Sequence, residues 1–130
     1  MSRKPYVRPI SKTSWFLANA QYQSYMAREV TCIVIAIYLI ILIVGLFRLS
    51  EGPAAWAGWL DGVTGPLGAL FHIIAFFVFL FHTASWFNVT PKAMRIQKGE
   101  DFVPGPVIVG AHYAAWAAVT VFVLILAGVA

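Results

Sequence analysis

The run VTCIVIAIYLIILIVGLF, residues 30–47, holds 18 residues without a single Asp, Glu, Lys or Arg, bracketed by Glu29 and Arg48. A helix rises about 1.5 Å per residue, so about 20 mostly apolar residues cross the ~30 Å of bilayer hydrocarbon. Two further runs qualify. Thirty residues separate Asp61 from Lys92 without a charge, and 29 follow Asp101 to the end of the chain. These runs predict an all-α membrane protein with three spanning helices, at about 28–48, 66–88 and 106–128. Three segments cannot close a membrane barrel, so helices are the only way to satisfy the backbone in lipid.

The whole composition agrees. The chain has 130 residues, 61% hydrophobic and 11% charged, where a soluble domain carries about 25% charged residues. That excludes a water-soluble globule and a disordered chain. One cysteine excludes an internal disulfide and any Cys-rich zinc or iron–sulfur site. Nine Lys and Arg cannot form a nucleic-acid-binding stripe in so apolar a chain. The length allows one membrane-anchor domain, with a tail at 1–27, an outer loop at 49–65 and an inner loop at 89–105. The apolar run begins too late and is too long for a cleavable signal core. Internal repeats are absent.

Basic residues set the expected orientation. The tail carries Arg3, Lys4, Arg8 and Lys12, with Arg28 at its end, and the loop after the second span carries Lys92, Arg95 and Lys98. The first loop carries only Arg48. The N-terminus is therefore expected in the cytoplasm and the C-terminus in the periplasm. Trp15, Phe16, Tyr22 and Tyr25 suit the interface, where one end of a ring is apolar and the other wet. In the outer loop, Pro53 and Gly62 read as start and stop of a short interfacial helix held by Trp56 and Trp59. In the inner loop, Thr90-Pro91 and Gly99 read as the ends of another, with Lys92, Arg95 and Lys98 on one face toward anionic lipid or a cytoplasmic partner. Gly110, Ala114 and Ala118, four apart, would let a partner helix approach closely.

Ionisable residues at membrane depth are costly, which makes each a functional candidate. Arg28 and Glu29 stand where the first span begins. They read as an interfacial ion pair or as a carboxylate that takes up protons at the membrane edge. His82 and Trp86 share a face of the second span, and His82 lies about 9 Å from the end nearer the basic loop. A flat indole beside a histidine and a carboxylate suits a lipid-soluble quinone, whose ring oxygens exchange protons. Cys32, one turn beyond Glu29, reads as an apolar filler that would touch such a ligand. His72 lies about 15 Å from His82 and reads as packing. His112 with His82 raises a rival, since two imidazoles from two helices are what a b-type haem needs. No nucleophile–base triad, phosphate loop, flavin motif or metal cluster is visible, so the chain is no enzyme on its own.

The same residues resemble the C subunit of bacterial fumarate reductase across nearly the whole chain. The resemblance rests on Lys4-Pro5-Tyr6-Val7-Arg8-Pro9, Tyr25-Met26-Ala27-Arg28-Glu29, Gly45-Leu46-Phe47, Gly52-Pro53 with Ala55-Trp56-Ala57-Gly58, His82-Thr83-Ala84-Ser85-Trp86-Phe87 and Pro91-Lys92-Ala93. It implies an inner-membrane anchor in a four-subunit complex, beside a flavoprotein subunit, an iron–sulfur subunit and a second small hydrophobic anchor, the D subunit. FAD and the clusters would belong to the partners, and the anchors would hold no haem. It also implies a menaquinol site at Arg28, Glu29, His82 and Trp86, used in anaerobic respiration with fumarate. Cys32 stands where the family is expected to carry a small residue such as alanine. Two alternatives stay open: a purely structural anchor, and a b-haem anchor of a succinate dehydrogenase.

Overall fold

The computed structural model describes Val7 and residues 9–129. Arg3, Lys4 and Arg8, and most of the motif around them, lie outside the described residues. The chain falls into two compact units, the first through Ala75 and the second from Phe76.

In the first unit a 3-10 turn, Trp15–Ala18, leads into α1, Ala20–Glu51. Asn19 makes the join. Its extended backbone breaks the turn, and its side-chain oxygen accepts a hydrogen bond from the Tyr22 N–H at 2.9 Å. That satisfies one of the four amides a helix start leaves unpaired. The Gln23 side chain then donates to the Leu17 carbonyl at 3.2 Å, and Trp15 meets Tyr22 edge-on at 5.4 Å. The first span thus starts eight residues before the expected residue 28. At 32 residues α1 is about 48 Å long, longer than the hydrocarbon is thick, so its first turns extend beyond the charge-free run.

Gly52 ends α1 at φ +117°, a conformation side chains resist, and Pro53 opens α2, Pro53–Thr64. A short helix is therefore present in the expected outer loop. It runs through Gly62 and stops at Gly65, whose N–H bonds the Asp61 carbonyl at 3.0 Å. α2 folds back onto the end of α1, where Trp59 lies over Gly45. A β-carbon on Gly45 would come within 2.6 Å of the indole. Trp56 stacks on Trp59 at 4.8 Å.

α3 spans Pro66–Ala93. Here the inner-loop expectation fails. Pro91 does not begin a new helix but lies in the last turn of α3. A proline lacks the N–H that would bond the carbonyl four residues back, and only two more residues of helix follow it. Gly99 is likewise no helix stop. At φ +66° it turns a two-stranded antiparallel hairpin, β1 Gln97–Lys98 and β2 Asp101–Phe102. Lys98 pairs directly with Asp101, and the Arg95 guanidinium sits 5.6 Å over the Phe102 ring. Lys92, Arg95 and Lys98 consequently do not share a helical face. α4, Gly105–Leu126, completes the second unit. Gly105 passes close to Pro91, and a β-carbon on it would stand 3.3 Å from the proline ring.

All three long helices have the length and hydropathy to cross a membrane. Their exposure is inverted relative to a soluble protein. Large apolar side chains face outward, among them Phe47 at 67%, Phe77 at 64% and Leu126 at 71%, while the buried apolar side chains among the described residues are only Ala75 and Ile108. Surface of that kind needs lipid or partner helices to cover it.

Candidate functional site

At about 100° per residue, α1 carries two different faces where it enters the apolar run. Tyr25, Arg28, Glu29 and Cys32 stand at i, i+3, i+4 and i+7, so they form one stripe. Gln23, Met26, Ala27 and Val30 repeat the same spacing on the opposite side. The 3-10 turn lies against that second stripe, where Phe16 and Leu17 join it to line a cleft of about 460 Å³. A further cleft of about 270 Å³ lies among Ser11, Ser14, Trp15 and Tyr22. Neither cleft is lined by Arg28, Glu29 or Cys32.

Within the stripe, Glu29 and Cys32 are exposed and Arg28 is half-buried. The Arg28 carbonyl gathers two side chains from the next turn. The Thr31 hydroxyl donates to it, and the Cys32 thiol approaches it at 3.7 Å. Thr31 is the buried polar residue of this region, and sequence reasoning missed it. Its only signal was a hydroxyl inside an apolar run, which in a helix returns to a carbonyl three or four residues back. Cys32 thereby keeps a weak local partner while its side chain stays exposed.

On α3, His82 and Trp86 sit one turn apart as expected, with ring centroids 6.1 Å apart and planes tilted by 54°. The Ser85 hydroxyl donates to the His82 carbonyl at 2.9 Å, and the Thr90 hydroxyl to the Trp86 carbonyl at 2.9 Å. Trp86 is 42% exposed.

The other two histidines are engaged in packing. His72 meets Tyr38 edge-on at 5.5 Å, and Tyr38 also stacks on Phe71 at 6.1 Å. His112 lies 2.8 Å by its Nδ1 from the Ile108 carbonyl, and its ring meets Phe87 at 5.2 Å. Phe87 in turn meets Tyr113 edge-on at 5.0 Å. This aromatic cluster was not legible beforehand, because it pairs residues of α3 and α4 by depth. Gly110, Ala114 and Ala118 are exposed on α4, and the space beside Gly110 is open. No group of three His, Cys, Asp or Glu that could hold a metal occurs among the described residues.

Three long helices, each with a charge-free apolar run long enough to cross a bilayer, define a multi-pass membrane protein. The family profile for the fumarate reductase C subunit matches residues 1–128. Relatives that carry the same name, the C subunit of fumarate reductase, are 39% identical over 125 residues in Aliivibrio fischeri strain MJ11, covering 96% of this chain and 98% of the relative. Identity is 40% over 126 residues in Klebsiella pneumoniae strain 342, covering 96% and 95%. In Vibrio cholerae strain O395 it is 37% over 124 residues, covering 95% and 97%. The chain belongs to the fumarate reductase C subunit family, a family of multi-pass inner-membrane proteins.

Proposed function

We propose that the chain anchors a fumarate reductase at the inner membrane and contributes to the oxidation of menaquinol there. The family supports the anchor role. The observation that carries the quinol role is the stripe of Arg28, Glu29 and Cys32 at the polar end of an otherwise charge-free span. A carboxylate at that depth has a cost that a purely structural anchor need not bear. In this reading the N-terminus faces the cytoplasm and the C-terminus the periplasm. A flavoprotein subunit and an iron–sulfur subunit dock on the cytoplasmic side, and a second hydrophobic anchor covers the exposed apolar helices. Fumarate reduction itself occurs on the flavoprotein.

The mechanism assigns a task to each residue. Trp86 offers its exposed face to the quinol ring. Glu29 and His82 accept the two hydroxyl protons, directly or through water. Arg28 stabilises negative charge on the deprotonating oxygen, as a fixed cation does in a low-dielectric site. Cys32, one turn beyond Glu29, touches a ligand bound beside that carboxylate. The two electrons pass to the iron–sulfur subunit. Proton transfer by a positioned group contributes roughly 10²- to 10⁴-fold. Glu29→Gln should therefore slow menaquinol-dependent fumarate reduction by at least about tenfold, while reduction driven by a soluble dye is unchanged. Normal quinol-dependent turnover in that variant would sink the proton role. Altered assembly with normal turnover per assembled complex would favour the structural anchor.

A further inference from the structure

We propose that the hairpin after α3 and the first turn of α4 bind a zwitterionic phospholipid with a primary ammonium headgroup, a phosphatidylethanolamine. One cleft of about 790 Å³ joins the residues concerned, lined by Lys98, Asp101, Phe102, Val103, Pro104 and Val107. The length of α4 sets its depth. With 22 residues α4 is about 33 Å long, close to the ~30 Å of bilayer hydrocarbon. Val107, in its first turn, therefore stands at the edge of the hydrocarbon, and the hairpin stands in the headgroup layer. The inference goes beyond the quinol reading and does not depend on it.

The cleft divides by chemistry. Lys98 and Asp101 are directly opposed in the hairpin register, so their side chains leave one face of the ladder as neighbours. Among the described residues no ion pair joins them. A cation beside an anion matches a headgroup that carries both charges. The phosphate meets the Lys98 ammonium, and the ethanolamine ammonium donates to the Asp101 carboxylate. A purely anionic headgroup would meet Asp101 with like charge. A choline carries the right charge but has no N–H to donate. Its alternative, a cage of aromatic faces, is missing, because Phe102 is the one ring that lines the cleft and the Arg95 guanidinium already sits 5.6 Å from its centroid. Phe102 and Val107 supply exposed apolar surface beside the charges. Val107, Gly110 and Ala114 recur at helical spacing on α4, and the space beside Gly110 is open, which gives the acyl chains a track. The hairpin wall is held at both ends. The Val103 N–H donates to the Ile96 carbonyl at 2.9 Å, and the Gln97 side chain donates to the Gly99 carbonyl at 3.0 Å.

The test uses the whole complex in nanodiscs that are half phosphatidylglycerol. The other half is phosphatidylethanolamine in one preparation and phosphatidylcholine in the second, with the same acyl chains. Surface charge is then equal, and only the ammonium differs. Amide hydrogen exchange across 96–103 is read by mass spectrometry, because a ligand held by the closed hairpin slows its opening. Exchange should be about tenfold slower with phosphatidylethanolamine, the size of one hydrogen bond to a charged group. Asp101→Asn and Lys98→Gln should each erase the difference. Lys98→Arg keeps both charges and should preserve it, and so should Lys92→Gln, which lies outside the cleft. Should the neutral variants loosen the hairpin in both lipids, wild type and Lys98→Arg decide the case. Equal exchange of the wild type in the two lipids would overturn the inference. So would a difference that survives Asp101→Asn. A difference that vanishes equally in Lys92→Gln would also overturn it, leaving only general attraction between a basic loop and anionic lipid. Protection that is equal in both lipids and lost when the cytoplasmic subunits are stripped away would assign the cleft to a protein partner instead.

Discussion

Gly45→Ala perturbs the packing that fixes α2 on the end of α1. The new β-carbon would stand 2.6, 2.8 and 2.9 Å from three carbons of the Trp59 indole. Carbon atoms rest at about 3.5–4.0 Å, so the indole must retreat by roughly 1 Å. It cannot do so alone, because Trp56 stacks on it at 4.8 Å with planes 20° apart. The displacement passes to α2 as a unit. Overpacking of this kind costs about 1–3 kcal/mol. Placed on the local opening of α2, that cost speeds amide hydrogen exchange across 53–64 by roughly 5- to 150-fold, since each 1.4 kcal/mol is tenfold. Exchange measured by mass spectrometry on the complex in nanodiscs reads this directly, with the middle of α1 as internal control. In a Trp59→Leu background the same Gly45→Ala change should have far less effect, because residues in contact couple and separated ones do not. Unchanged exchange in α2 for the single variant, or an equal effect in both backgrounds, would refute the packing argument.

Three smaller perturbations test other joints. Asn19→Ala removes the cap from α1 and should cost about 1 kcal/mol, read as faster exchange confined to the first turn near Tyr22. Gly99→Ala forces a β-carbon into φ +66° and should cost about 1–2 kcal/mol. Gly99→Asn should cost less, and limited proteolysis between residues 97 and 102 ranks the two. Arg48→Ala breaks the 2.8 Å bridge to Glu51, whose two side chains are 52% and 55% exposed. Its effect should stay within about 1 kcal/mol, leaving the thermal midpoint of the purified complex essentially unmoved.

The three spans were legible because charge is a nearly binary signal in lipid, and Glu29, Arg48, Asp61, Lys92 and Asp101 mark where each run breaks. The same signal hid the start of α1. Residues 20–27 are uncharged but polar, so they extend a helix without extending an apolar run, and the Asn19 cap that begins it is a one-residue feature. Pro91 misled for a related reason. A proline favours the first turn of a helix and is tolerated in the last, and only the end of α3 two residues later separates the cases. The hairpin at Gly99 is too short for a strand pattern to emerge. On the site side, helical spacing was enough to put Arg28, Glu29 and Cys32 on one stripe and His82 with Trp86 on another. It could not reveal that the tail covers the opposite face of α1, nor that Thr31 binds back to the Arg28 carbonyl. Both depend on how the chain turns at Asn19 and where a hydroxyl finds its acceptor.

The anchor claim is tested most directly by where fumarate reductase activity resides when this chain is deleted. Dye-driven activity should move from the membrane pellet to the soluble fraction, and restoring a tagged copy should return it. The tagged chain should then co-purify with a flavoprotein, an iron–sulfur protein and a second small hydrophobic protein. Activity that stays on the membrane without this chain, or a tagged chain that purifies alone, would contradict the account.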